Sequence, residues 1–362
     1  MPLPAIDPAH YASQLADKVS RFKLAFAPFA IPEPEVFASS PAHYRLRAEF
    51  RIWHQGDDSH YAMFDPENPK QPVLVEDFPV AAESIRALMP RLMARLRGSQ
   101  TLRGGLFQVD FLATLSGELM VTLVYHRRLG DGWELAARDL ASELNAQVIG
   151  RSRGQKVVLD RDWLLEEFEV SGRRLRYQQI EGGFTQPNGG VNRRMLGWAC
   201  ARVAGLGGDL LELHCGNGNF TMALAPLFGK VLATEVGKSS VRAARYNIAA
   251  NETGNVELVR ASSAEIGDVL AGRTVLRRMQ DIDLADFRFS TLFVDPPRSG
   301  LDATTLELAA GFEHILYISC NPQTLRENVA ALHSTHKVSA AAVFDQFPYT
   351  HHLECGLLLT RR

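Results

Sequence analysis

The strongest constraint on the fold lies in the second half of the chain, where apolar strand-like runs alternate with helical stretches from about Leu196 onward. The runs are Leu210 to Leu213, Lys230 to Thr234, Val256 to Val259, Thr291 to Val294 and Ile315 to Ile318, with helical patterns at Phe220 to Leu227, Ser239 to Asn251 and Pro322 to Leu332. Strand and helix in alternation build a parallel, doubly wound sheet. In such sheets the ligand lies at the carboxyl ends of the strands, so the polar turns that follow them are the place to look for chemistry.

The first half reads differently. Tyr11, Leu15, Val19, Phe22 and Phe26 fall at helical spacing and predict an amphipathic helix that acts as a lid or brace. Tyr44 to Trp53 alternates strictly: Tyr44, Leu46, Ala48, Phe50 and Ile52 share one face, and Arg45, Arg47, Glu49, Arg51 and Trp53 the other. A helix over Ala81 to Arg97, strands over Leu106 to Leu115 and Glu118 to Tyr125 joined at Ser116-Gly117, and a helix from Asp131 to Asn145 complete an α+β pattern. A chain of 362 residues accommodates about two domains. The expected division is residues 1–180 for the α+β domain and 181–362 for the α/β domain.

A formal net charge of -2 offers no global attraction to nucleic acid, so any such contact must come from local clusters such as the arginine strip. The four cysteines, Cys200, Cys215, Cys320 and Cys355, are never spaced as a CxxC pair, which argues against a zinc ribbon, an iron-sulfur cluster or a disulfide framework; no metal site is expected. No apolar run is long enough to span a bilayer, and Met1-Pro-Leu-Pro lacks the basic and apolar regions of a secretory leader. A cytoplasmic protein with no membrane partner is expected.

The strand Asp209 to Leu213 leads into His214-Cys-Gly-Asn-Gly-Asn219, where Gly216 and its neighbour allow a sharp turn and close approach to a ligand. The next strand ends at Glu235, an acceptor for ribose hydroxyls. Phe220-Thr221 stands where a third glycine would complete the pyrophosphate fingerprint, so the turn favours S-adenosylmethionine over a nicotinamide dinucleotide.

Two later turns decide the chemistry. One strand ends at Asp295-Pro-Pro-Arg298, another at Ser319-Cys-Asn-Pro322, on the same sheet edge as the glycine turn. Cys320 precedes a predicted helix whose N-terminal dipole should lower the thiol pKa. Carbon 5 of uracil is too weak a nucleophile to accept a methyl group directly. Addition of a thiolate to carbon 6 moves electron density to carbon 5 and splits one difficult step into easier ones. A base must then remove the carbon 5 proton before the thiolate leaves. Glu354, a carboxylate inside the apolar stretch Leu353 to Leu359, is the candidate.

Phe184-Thr-Gln-Pro-Asn188, Leu211-Glu-Leu-His-Cys-Gly-Asn-Gly-Asn-Phe220, Asp295-Pro-Pro-Arg298, Ser319-Cys-Asn-Pro322 and the late Glu354 resemble the RNA 5-methyluridine methyltransferases. Arg47 to His54 and Leu106 to Leu112 look like the tRNA (uracil-5-)-methyltransferase branch. The resemblance spans nearly the whole chain. It implies a C-terminal class I methyltransferase with a Rossmann-like sheet, and an N-terminal RNA-binding domain. The implied substrate is the T-loop uridine of tRNA, conventionally position 54, with other T-loop-bearing RNAs left open. The resemblance places the nucleophile on Cys320 and the base on Glu354. It places S-adenosylmethionine contacts on Gln186, His214, Asn219, Glu235 and Asp295. His214 stands where the family commonly has tyrosine. RNA contacts implied beside the arginine strip are Arg51, Phe107 and His126, with Arg47 on the same strand face.

Two rival readings remain at this stage. A methyltransferase acting on another RNA position would leave Cys320 and Glu354 without a task. An RNA-binding or tRNA-folding module on the same fold would leave the glycine turn unused.

Overall fold

The computed structural model describes residues 6–65 and 68–362. Ser40–Glu167 and Gln179–Gly189 form the body of one compact unit; His10–Ser39, Phe168–Gln178 and Gly190–Arg362 form the other. The expected cut near residue 180 falls at the end of a β-ribbon, Trp163–Val170 with Arg173–Ile180, whose middle joins the second unit. The reason is apolar burial: Phe168, Val170, Leu175 and Tyr177 are part of that unit's core. Helix Tyr11–Phe26 joins it for the same reason, since Phe22 and Phe26 pack into the core that holds Leu213, Leu325 and Leu353.

In the first unit, seven strands among the described residues run in the order Asn68–Leu74, Asp58–Asp65, Arg47–Gln55, Leu106–Ala113, Leu119–Tyr125, Gln147–Ser152 and Gln155–Val158. Neighbours pair antiparallel except Leu119–Tyr125 with Gln147–Ser152, which run parallel because helix Asp131–Leu144 crosses between them. That helix ends on Asn145 in the left-handed conformation. Helix Glu83–Arg97 buries Ile85, Leu88, Met89, Leu92, Met93 and Leu96, a stripe at helical spacing. The strand Arg47–Gln55 alternates as its sequence requires, with Ala48, Phe50 and Ile52 inward and Glu49 and Arg51 outward.

Arg45 departs from the expected arginine strip. It lies before the strand in an isolated bridge and donates from Nε to the Arg47 carbonyl at 2.8 Å; burial lowers the proton affinity of its guanidinium. The segment Phe184 to Asn188 is pinned to the same place: Leu46 N donates to the Pro187 carbonyl at 2.7 Å, and Arg45 bridges Asn188.

In the second unit the sheet order among the described residues is Glu35–Phe37, His336–Phe344, Glu354–Arg361, His314–Ser319, Phe289–Val294, Asp209–Leu213, Val231–Thr234 and Val256–Val259. The strands from His314–Ser319 to Val256–Val259 are parallel, as the alternating pattern demands. Glu354–Arg361 is antiparallel to both of its neighbours. Order reverses at Asp209–Leu213, whose two neighbours are later strands of the chain, so the crevice above its carboxyl end is the switch point.

Candidate active site

The turn after Asp209–Leu213 is built for close approach. Gly216 and Gly218 have φ of 58° and 84°, and a Cβ at Gly216 would meet nothing within 4 Å, leaving open space beside the backbone. His214 holds φ of 60°, a conformation histidine tolerates better than most residues. Burial lowers the pKa of its imidazole against the opposing pull of Glu235, which favours a neutral ring.

Glu235 closes the turn. Its carboxylate accepts from Gly216 N at 3.0 Å and Gly237 N at 2.6 Å, tying the glycine turn to the start of helix Lys238–Ala250. Asn219 pairs reciprocally with Asn192 through two amide bonds of 2.9 and 3.0 Å, and its carbonyl accepts from the Tyr177 hydroxyl at 2.9 Å. Asn192 and Tyr177 were not singled out from the sequence, because their partners lie 27 and 42 residues away.

Beneath the turn lies Glu212, 1% exposed. No hydrogen bond of good geometry reaches either of its oxygens among the described residues, and the Thr221 hydroxyl is only a weak neighbour. Burial pushes its carboxyl up to about 8, tempered by the Thr221 hydroxyl and reinforced by Asp295. An open backbone face beside Gly216 and a carboxylate at Glu235 that ties the turn to the following helix leave room for a cofactor's close approach to the turn. His214, Gly216, Asn219, Glu235 and Asp295 all belong to this unit; Gln186 belongs to the other.

Ser319 is the register partner of Cys355. One step beyond that pair, Cys320 and Glu354 therefore emerge at the same end of two adjacent strands, and Asp295 follows Val294 on the next strand. The three groups feel one another. Glu354 is 4% exposed; burial first and then Asp295 raise its carboxyl well above the usual range, opposed by Arg298. Burial pushes Asp295 up to about 7.

Cys320 corrects an expectation. Its thiol pKa is raised by burial, Glu354 and Asp295, with Arg298 the opposing cation. The helix that follows, Pro322–Leu332, is capped by Asn321, whose side chain accepts from Gln323 N at 3.1 Å. Two neighbouring carboxyls and partial burial outweigh the dipole. The thiol therefore gains reactivity only as it is deprotonated against this negative surrounding.

Second-layer bonds hold the cluster in place. Asn321 Nδ2 donates to the Arg298 carbonyl at 2.9 Å, and Thr324 Oγ1 donates to the same oxygen at 3.3 Å. Asn328 Oδ1 accepts from Leu301 N at 2.9 Å and from the Tyr317 hydroxyl at 2.7 Å. Lys18 reaches the loop before Glu354, donating to Asp345 Oδ1 at 2.7 Å, the Phe347 carbonyl at 2.9 Å and the His352 carbonyl at 3.0 Å. All three ammonium protons are used, so helix Tyr11–Phe26 is the expected brace.

In the first unit, Arg51 lies over the Phe107 ring at 4.8 Å and Phe107 stacks on His126 at 4.2 Å with 20° between planes. Three of the four expected RNA contacts, Arg51, Phe107 and His126, thus form one continuous stack. Arg47 is committed elsewhere, to Glu49 and the Gly183 carbonyl. Phe184 is 71% exposed on the pinned segment, an aromatic face that the sequence reading left within a motif.

The strand order, with its antiparallel strand next to the last parallel one and a glycine turn at the switch point, defines a class I methyltransferase fold. The sequence profile described as tRNA (Uracil-5-)-methyltransferase matches residues 10–362. The chain belongs to that family. A tRNA/tmRNA (uracil-C(5))-methyltransferase of Aromatoleum aromaticum is 71% identical over 100% of this chain and 98% of its own length. One of Dechloromonas aromatica is 68% identical over 100% of both. Among solved structures, the Pyrococcus abyssi tRNA (uracil-54, C5)-methyltransferase in complex with S-adenosyl-L-homocysteine shares the fold, with a TM-score of 0.73 at 20% identity over 99% of this chain and 86% of that one.

Among the described residues no helix is long and apolar enough to cross a membrane.

Proposed function

We propose that this protein methylates carbon 5 of the T-loop uridine of tRNA, position 54, and the corresponding uridine of tmRNA, in the cytoplasm. The observation that carries this reading is the ladder register that brings Cys320 and Glu354 to one sheet end, beside Asp295 and the glycine turn. His214, Gly216, Asn219, Glu235 and Asp295 would hold S-adenosylmethionine, which when bound would supply an electrophilic methyl group.

The chain's own residues act before and after that transfer. Cys320 Sγ, once deprotonated, adds to carbon 6 and leaves an enolate whose density lies on carbon 5. After methylation, Glu354 takes the proton from carbon 5, the carbon 5–carbon 6 double bond re-forms and the carbon 6–sulfur bond breaks, returning the thiolate. A carboxylate whose proton affinity is raised by burial is a stronger base for a carbon acid than one in water.

The target base must leave the loop to reach both a thiolate and a methyl donor. The Arg51-Phe107-His126 stack supplies a cation and π faces for the splayed loop. Phe184 offers a further exposed ring.

The test is incubation of unmodified tRNA with methyl-labelled S-adenosylmethionine, followed by nucleoside analysis. Label in 5-methyluridine, lost when uridine 54 is replaced by cytidine, is the expected result. Label on another base, or retained in the replaced transcript, would overturn the assignment.

A further inference from the structure

Beside the catalytic pair is a cavity of about 480 Å³ that the reaction above does not use. Its size falls in the range of roughly 300–1,000 Å³ typical of small-ligand sites. One wall is helix Tyr11–Phe26, which contributes Arg21 and Leu24; the other is the start of helix Pro322–Leu332, with Arg326. Pro322 comes two residues after Cys320, and the lining residue Leu353 immediately precedes Glu354.

The lining carries Lys18, Arg21, Arg326 and His351 and no carboxylate. Lys18 is spent on Asp345 and two carbonyls. Arg326 gives Nε to the Ala25 carbonyl at 3.1 Å, which ties its guanidinium across the helix pair and leaves its terminal nitrogens without a hydrogen bond among the described residues. Arg21 has no ion-pair partner among the described residues. Leu24 is 78% exposed beside it, and with Phe22, Ala25 and Pro28 it gives the wall an apolar surface around the cations. The same helix also holds the loop before Glu354 through Gln14, whose Oε1 accepts from Tyr349 N at 2.7 Å.

Unneutralised guanidinium groups next to an apolar surface match a phosphate joined to a ribose or base. The polyanion brought to this unit is the RNA whose uridine reaches Cys320, close in sequence to the lining residue Pro322. We propose that the cavity is a subsite for the nucleotide adjoining the target uridine, with Arg21 and Arg326 on its phosphate and Leu24 against its sugar or base. The subsite rests on the function proposed above and adds a place where the RNA backbone is gripped on the catalytic unit itself.

The experiment uses the full-length protein and a set of T-arm RNAs, each with one phosphate flanking the target uridine replaced by a neutral methylphosphonate. Arg21→Ala should raise KM about tenfold on the unmodified RNA and reduce the salt slope of binding by about 1. One neutral phosphate should raise KM similarly for wild type, and cost Arg21→Ala nothing more. Leu24→Ser should weaken binding without changing the salt slope. A wild-type KM for Arg21→Ala would overturn the subsite, as would a defect that adds in full to every phosphate replacement. Wild-type protein that methylates no uridine in these RNAs would instead remove the underlying functional reading, and the subsite with it.

Discussion

Ser319 and Cys355 face one another across the antiparallel ladder of the last catalytic strands, and this pairing sets Cys320 against Glu354. A one-residue slip in that register would turn Glu354 to the other face of the sheet, away from the thiol. The nucleophile and base are thus joined by strand pairing, while Lys18 and Asn321 fix the turns on either side.

If Glu354 acts after methyl transfer, its loss should stall the reaction late. Glu354→Gln is expected to lower turnover by about 10²–10⁴-fold and to accumulate a covalent RNA adduct on ordinary uridine substrate. Denaturing gels should show the retarded band, and mass spectrometry should find it methylated. An equally slow variant with no adduct would place Glu354 before the covalent step.

The raised proton affinities set the pH dependence. Asp295 is pushed up to about 7, and Glu354 and Cys320 are also raised, so all three bind protons more tightly than in an unfolded chain. Activity needs thiolate and carboxylate, and kcat/KM should climb as pH rises through neutrality, with apparent values that belong to the cluster. Stability runs the opposite way. For the two carboxyls the contribution is fully present below their unfolded pKa values near 4 and is lost as pH rises through their folded values. Arg298→Met removes the opposing cation and should move the activity limb to higher pH. A wild-type plateau already reached at pH 6 would contradict the cluster.

Lys18 and Asp345 form a buried pair with 2% and 0% side-chain exposure. Lys18→Met strands the Asp345 charge and two carbonyls and should cost about 3–5 kcal/mol. Replacing both, with Asp345→Leu, should recover much of that loss in denaturant titrations. If Lys18→Met alone is as stable as wild type, the helix does not brace the loop before Glu354.

The parallel sheet was legible because its strands are continuous apolar runs with strong periodicity, and Asp209–Leu213, Val256–Val259 and Pro322–Leu332 fall where the sequence placed them. Cys320, Glu354, Glu235 and the glycine turn could be picked out because each ends or begins such a run. The depressed thiol pKa was inferred from the local helix start alone. The groups that reverse it, Glu354 and Asp295, lie 34 and 25 residues away in sequence (354 − 320 and 320 − 295) and act only through the fold. Lys18 was invisible for the same reason, since its partners lie 327 to 334 residues away. Arg45 fitted the alternation, but its guanidinium turned inward to a backbone carbonyl that no periodicity reports.

The central claim is the covalent use of Cys320, and a T-arm RNA carrying 5-fluorouridine at the target position tests it most directly. Fluorine cannot be removed as a proton, so wild-type protein with S-adenosylmethionine should be trapped as a stable adduct whose RNA is linked to Cys320, and Cys320→Ala should form none. Wild-type protein that is active on ordinary RNA yet forms no adduct, or a Cys320→Ala variant that still makes 5-methyluridine, would contradict the account.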